Sequence, residues 1–152
     1  MKRRTLIATV ATLLSMQSAA VFAELQDPEF FAAPSAANRP LPFSEAVRAG
    51  PFLYVSGMIG IKPGTTELVP GGIQPETRAA METIKATVER HGSSMDRVVK
   101  CTVFLADMAE WAAMNEVYVT FFPQHRPARS ALGVNGLAFH ARVEIECIAL
   151  AK

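Results

Sequence analysis

The chain has 152 residues, 50% of them hydrophobic, and its 15 basic and 14 acidic residues give a formal net charge of +1. Its only run of basic residues lies at positions 2–4, so the rest of the chain has no continuous basic surface of the kind that binds nucleic acid or an anionic membrane. We therefore predict neither of these partners.

The first 23 residues have the three zones of a Sec-type secretory signal. Basic residues 2–4 are followed by an apolar run, Leu6–Leu14, that is too short to span a bilayer core of about 30 Å as a helix. Val21 and Ala23 then place small residues at the −3 and −1 positions of a cleavage site. The pattern predicts cleavage after Ala23 and a periplasmic or secreted protein with no membrane segment after cleavage. The alternative is an uncleaved N-terminal anchor.

Cleavage would leave 129 residues, a usual length for one domain with a single hydrophobic core. The signal contains three basic residues and no acidic ones. The remaining 12 basic and 14 acidic residues therefore give the mature chain a net charge of −2. We predict a signal at 1–23, an extended leader at 24–39 that is rich in Ala and Pro, and one folded domain at 40–152.

Two cysteines, Cys101 and Cys147, lie in apolar runs that are typical of strands. In an oxidising compartment they could form a disulfide, but free cysteines in such runs often behave as small buried hydrophobic residues. The sequence leaves both alternatives open. Their wide separation and the lack of nearby histidines argue against a metal site.

Two strands around a turn at residues 49–51 are predicted at the start of the domain, where aromatic and β-branched residues cluster. A helix follows from about Pro75 to His91, because proline suits the first helical turn and Gly92 suits the position after the last one. The run at 98–107 is rich in branched residues and predicts the next strand.

A second helix is predicted from about Met108 to Phe122, where Pro123 ends it. Its stripe of large side chains is typical of a buried face and consists of Trp111, Met114, Tyr118 and Phe121. Two final strands are predicted at 128–137 and 141–151, with a bent connection around Asn135 and Gly136.

The predicted order of elements favours an α+β fold in which two helices cover one face of a mixed sheet of five or six strands. The second face of that sheet would be left without a covering layer. An uncovered apolar face predicts self-association, most economically in a closed symmetric ring.

The last two strands contain the residues most suggestive of chemistry. Arg129 begins an apolar strand, and Glu144 shares one face of the last strand with Glu146 while Val143 and Ile145 point to the other. A guanidinium and a carboxylate are the two groups that an amino-acid-derived ligand requires, one for its carboxylate and one for its nitrogen side. The alternative is a structural ion pair or a pair of solvated strand ends.

Five segments, in this order and spacing, resemble the RidA/YjgF family of reactive-intermediate deaminases, also called the endoribonuclease L-PSP family. The resemblance covers about residues 40–150 and implies a chorismate-mutase-like fold. It also implies a homotrimer whose sheets form a central barrel, with ligand clefts between subunits. The segments are PFSEAV, LYVSGMIG, DRVVKCTVFLADMAEWAAMNEVYVTFF, RPARSALGV and RVEIECIAL.

The resemblance implies an activity of the 2-iminobutanoate/2-iminopropanoate deaminase type, in which enamines and imines such as 2-aminoacrylate are hydrolysed to 2-oxo acids and ammonia. No metal or organic cofactor is implied. Arg129 matches the family arginine that binds the substrate carboxylate, a task that suits the two-pronged guanidinium. Glu144 matches the glutamate that orients or activates the attacking water.

Four further positions are predicted to line the substrate pocket: Phe43, Ser56, Met58 and Ala131. Three of them depart from the common family pattern, which has tyrosine, glutamine and cysteine where this chain has Phe43, Met58 and Ala131. These replacements make the pocket more apolar and favour a different or bulkier ligand.

Two alternatives to an imine deaminase remain. One is a non-catalytic trimeric module that binds small carboxylates or a protein partner in the same clefts. The other is the ribonuclease of the family's older name, against which the acidic mature chain argues, because RNA binding depends largely on basic side chains that contact phosphates.

Overall fold

The computed structural model describes residues 27–33 and 41–152; the predicted signal at 1–23 lies outside them. The described residues form one six-stranded sheet and two α-helices, the α+β fold that the sequence predicts. The strands are β1 Glu29–Ala32, β2 Ser44–Ala49, β3 Phe52–Ile59, β4 Val98–Leu105, β5 Ala128–Gly133 and β6 Val143–Leu150, and the helices are α1 Ile73–Arg90 and α2 Trp111–Tyr118.

The strands lie in the order β1-β2-β3-β6-β4-β5. Neighbouring strands are antiparallel except for β4 and β5, which are parallel because the chain crosses back through α2 between them. β1 lies within the predicted extended leader and pairs with β2 along the sheet edge. Composition alone did not indicate this strand, because its ladder depends on a partner supplied by the folded sheet.

Both helices are close to their predicted positions. The predicted buried stripe of α1 is confirmed, since Met81, Ile84 and Val88 are fully buried. The predicted second helix is an eight-residue α-helix, α2, with a 3₁₀ turn at each end, 108–110 and 119–121. The first of these turns is capped by the Asp107 carboxylate, which accepts a hydrogen bond of 2.8 Å from the Ala109 amide.

The prediction that Trp111 belongs to the core is wrong. Met114 and Tyr118 of the same stripe are buried, but Trp111 keeps 43% of its surface exposed. It lies over Arg129 of β5, which is the last strand of the described sheet. Because no strand of the described sheet lies beyond β5, no core residues cover the Trp111 indole, and it remains on the protein surface.

The core lies between the sheet and the helices and is formed by alternate residues of the central strands. Leu53, Val103, Val143 and Ile145 are all fully buried on this face. Each such side chain stabilises the fold by about 1.5–3 kcal/mol relative to exposure. The two central strands β6 and β4 are thereby held in a single register.

The opposite face of the sheet has no covering layer in the described part of the chain. Phe52 and Tyr54 of β3 and Leu132 of β5 point to this face and are more than a third exposed, and Phe30 of β1 is still more so. Apolar patches of this kind mark interaction surfaces. The uncovered face is thus present, and the homotrimer that would cover it stays a prediction.

Cys101 and Cys147 form a disulfide between β4 and β6. The two residues are direct partners in the register of these strands, and both are buried. The structure therefore confirms the disulfide and not the alternative of two free buried cysteines.

Loss of this disulfide is expected to lower the free energy of unfolding by about 4 kcal/mol, because the bond restricts the unfolded chain over a long loop. The cysteines are 46 residues apart in sequence. Denaturant unfolding of residues 24–152, oxidised and reduced, measures the difference without changing any other side chain. The double variant Cys101→Ala/Cys147→Ala should match the reduced protein. Equal midpoints for oxidised and reduced protein would show that the bond does not stabilise the fold.

Candidate active site

Arg129 is the second residue of β5 and pairs with Cys101 of β4. Because paired residues point to the same face of a sheet, Arg129 lies on the side that the helices cover. Its Nη1 donates a hydrogen bond of 2.6 Å to Oδ1 of Asn115, and its Cζ lies 4.7 Å from the centroid of the Tyr118 ring and 5.9 Å from that of Trp111. One face of α2 therefore holds the guanidinium in place.

The aromatic rings beside Arg129 favour its positive charge. Tyr118 is only 4% exposed, and burial raises the pKa of its phenol to about 12, although the neighbouring Arg129 charge acts in the opposite direction. The ring is therefore neutral at physiological pH. Among the described residues, Asn115 is the one side chain that accepts a hydrogen bond from Arg129. Several of the five guanidinium N–H groups thus remain for a ligand.

A surface cleft of about 350 Å³ opens beside Arg129, a volume in the range of small-molecule sites. Its lining consists of Asn115, Tyr118, Val119, Arg126, Pro127 and Arg129. The cleft therefore combines apolar walls with a positioned cation, which suits a small organic anion.

Glu144 lies in β6, where Ile59 and Phe104 are its partners on the neighbouring strands. Burial raises the pKa of its carboxyl group above the usual value of 4.5, and the negative charge of Glu146 raises it further. A β-carbon at position 57 would overlap the Glu144 carboxylate, so Gly57 leaves the space that this carboxylate occupies. Gly57 was not among the predicted site residues.

None of the other four predicted pocket residues lines the cleft beside Arg129. The Ser56 hydroxyl donates a hydrogen bond of 2.6 Å to the carbonyl of Ser44. Phe43, the residue before Ser44, is 53% exposed. Met58 pairs with Ile145 and packs against the core. Ala131 also packs there, two residues after Arg129 and on the same face.

A single chain does not bring Arg129 and Glu144 together. Arg129 shares its face with Cys101 and Cys147, whereas Glu144 alternates with Cys147 along β6 and points to the uncovered face. The two predicted catalytic residues therefore lie on opposite faces of the sheet within one chain.

Two of the residues around Arg129 were missed as site residues by sequence reasoning. Asn115 and Tyr118 occur in the segment MNEVY, which is part of the resemblance, but the helical stripe that contains Tyr118 predicts only a core position for it. Their spacing of three residues along α2 was the available signal, because it places them on one helix face.

Among the described residues, no three His, Cys, Asp or Glu side chains are grouped so that they could hold a metal ion. The absence of a metal or cofactor stays a prediction. No helix within the described ranges has the length and apolar character needed to cross a membrane.

Known proteins resemble this chain over most of its length. The family model described as "Endoribonuclease L-PSP" matches residues 32–151. A RutC family protein of Pyrococcus horikoshii is 46% identical over 108 residues, which are 71% of this chain and 86% of that protein. The mouse 2-iminobutanoate/2-iminopropanoate deaminase is 40% identical over 109 residues, 72% of this chain and 81% of its own.

A solved structure of TdcF from E. coli with bound serine superposes with a TM-score of 0.73 at 32% identity and covers 82% of this chain and 100% of that one. The order of elements, the sheet with two helices and the family-model match agree with one another. The chain therefore belongs to the RidA/YjgF family, whose model is described as endoribonuclease L-PSP.

Proposed function

We propose that this protein hydrolyses small imines and enamines derived from amino acids, releasing a 2-oxo acid and ammonia. The observation that carries the proposal is the Arg129 guanidinium, which is held by Asn115 and Tyr118 at an open cleft and keeps N–H groups for a ligand. Supporting it, the mouse relative has the name 2-iminobutanoate/2-iminopropanoate deaminase.

The reaction needs one water and no change of oxidation state. Arg129 binds the substrate carboxylate through two parallel N–H···O hydrogen bonds. Glu144 accepts a proton from a water molecule whose oxygen adds to the carbon of the C=N bond, and passes that proton to the nitrogen. Glu144 then transfers the hydroxyl proton of the resulting carbinolamine to the same nitrogen, which leaves as ammonia while the C=O bond forms. The raised pKa of Glu144 makes it a stronger base than an exposed glutamate.

We propose further that the site forms between copies, with Arg129 of one subunit facing Glu144 of the next in a homotrimer. Two features support this arrangement: the opposite faces of the two residues in one chain, and the exposed apolar side chains around Tyr54 and Leu132. Covering those side chains would stabilise the assembly. Light scattering of the mature protein should give three times the mass of one chain, and a monomer would contradict the proposal.

Ammonia release from imines generated in situ tests the activity. An amino-acid oxidase supplies the imine, and the mature chain should accelerate ammonia formation above the spontaneous rate. Oxidase without the protein and protein without the oxidase are the controls. Saturable binding of 2-oxobutanoate without any acceleration would favour the non-catalytic binding module instead.

We also propose that the protein is exported. The signal pattern at 1–23 is the primary support, and the Cys101–Cys147 disulfide agrees with it because such bonds persist in oxidising compartments. Cell fractionation of the full chain should place a product that begins at Glu24 outside the cytoplasm. Retention of residues 1–23 on the mature protein would contradict cleavage.

Gly57→Ala is expected to lower kcat by about a hundredfold, because the new methyl group displaces the Glu144 carboxylate and small misplacements have costs of that size. Gly133→Ala is the comparison, since its φ, like that of Gly57, is not positive and the new methyl group would meet the flexible Met108 side chain instead of Glu144. The measurement is kcat together with the thermal midpoint. Normal kcat in Gly57→Ala would argue against a role for the Glu144 position.

A further inference from the structure

The cleft beside Arg129 contains a second guanidinium, that of Arg126, and no acidic side chain lines it. One carboxylate is sufficient for Arg129, so the second positive charge exceeds what a monocarboxylic substrate requires. The cleft therefore has the charge distribution expected for a ligand with two anionic groups.

Arg126 lies immediately before Pro127 and three residues before Arg129. Proline restricts the preceding residue to extended backbone. The Cα atoms of the two arginines are no more than about 10 Å apart, since three residues of extended chain span that distance at most. Their long side chains can therefore reach the two ends of one small molecule.

Arg126 also differs from most other arginines in the described ranges. Arg48, Arg90, Arg97 and Arg142 each donate to a carboxylate or a backbone carbonyl. For Arg126, an exposed residue that lines the cleft, the described residues supply no such acceptor. Its charge is thus left for a group from outside the described part of the chain.

We infer that Arg126 selects dicarboxylic substrates: the imines of acidic amino acids, with one carboxylate on Arg129 and the other on Arg126. This inference rests on the proposed imine hydrolysis and specifies its substrate class. The products would be 2-oxo dicarboxylic acids and ammonia, formed by the same addition of water. Because Arg126 is exposed to solvent, we expect a selectivity of about tenfold, the lower end of what one charge-assisted hydrogen bond contributes.

Kinetics on two imines test the selectivity. Imines of glutamate and leucine are generated in situ by oxidases, and kcat/KM is measured for each. The ratio of kcat/KM for the glutamate imine to kcat/KM for the leucine imine should fall about tenfold in Arg126→Gln, mainly through a change in KM. Arg126→Lys should retain most of the wild-type preference. Arg78→Gln is the matched control, because Arg78 is an exposed residue of α1 that does not line the cleft. An unaltered ratio in Arg126→Gln, or an equal change in Arg78→Gln, overturns the inference.

Binding measurements separate this inference from the proposed function. Calorimetry with 2-oxoglutarate and 4-methyl-2-oxopentanoate requires no turnover. If neither imine is hydrolysed but 2-oxoglutarate binds more tightly and Arg126→Gln abolishes that preference, the deaminase proposal fails and dianion recognition stands. If the wild type hydrolyses both imines and binds both 2-oxo acids equally, the deaminase proposal stands and the role of Arg126 is overturned.

Discussion

Arg129→Ala is expected to lower kcat/KM for imine hydrolysis roughly a hundredfold, a loss of about 3 kcal/mol of transition-state stabilisation, because the substrate carboxylate loses a charge-assisted pair of hydrogen bonds. The guanidinium is held by Asn115 and the Tyr118 ring, so its loss also removes the alignment of the ligand in the cleft. Steady-state kinetics with in situ imines measure the effect. Binding of 2-oxobutanoate should weaken in parallel, since this contact is made to substrate and product alike.

Two variants control for the loss of charge. Arg129→Lys keeps the positive charge without the two-pronged geometry and should fall between the wild type and Arg129→Ala. Arg78→Ala removes an exposed arginine elsewhere and should retain full activity. Full activity in Arg129→Ala, with an unaltered thermal midpoint, would remove Arg129 from the site.

Glu144→Gln is expected to lower kcat by about 10²–10⁴-fold, the usual contribution of a general base. The isosteric amide keeps the shape of the side chain, so binding of 2-oxobutanoate should be retained. A residual kcat equal to that of the wild type would show that the water is activated by another group.

The dependence of kcat on pH gives an independent test of Glu144. Only its ionised form can accept a proton, so kcat should fall as the pH drops through its pKa, which burial and Glu146 place above the usual 4.5. Glu146→Gln removes the neighbouring negative charge. This change should shift the fall of kcat, the acidic limb of the pH profile, to lower pH without abolishing it. An acidic limb that does not move in Glu146→Gln would mean that another group controls it.

Mixing the two inactive variants tests whether the site is shared between copies. Subunits of Arg129→Ala and Glu144→Gln are unfolded together and refolded into mixed assemblies. Where a Glu144→Gln subunit supplies Arg129 and an Arg129→Ala subunit supplies Glu144, an intact site is restored. Activity should therefore reappear in the mixture. Mixtures as inactive as the separate variants would argue that each chain forms its own site.

The sequence predicted most of the secondary structure correctly. The α1 stripe of Met81, Ile84 and Val88 has the helical period, and the alternation of Glu144 and Glu146 with buried residues has the period of a strand. Such periods are local properties of the chain, so they can be detected without knowing what packs against each element. The resemblance of RPARSALGV and RVEIECIAL to the RidA/YjgF family likewise implies Arg129 and Glu144 as the candidate catalytic residues.

Only the tertiary structure decided how these elements meet. Periodicity shows which side chains of one strand point together, but the register and order of the strands decide which face of the sheet they reach. The pairing of Arg129 with Cys101 thus places it opposite Glu144, and the same register joins Cys101 to Cys147. The position of Trp111 at the sheet edge and the place of Arg126 in the cleft also depend on contacts between distant segments. The sequence by itself therefore determined the elements, the family and the two candidate catalytic residues, whereas long-range packing decided that those residues lie on opposite faces of the sheet.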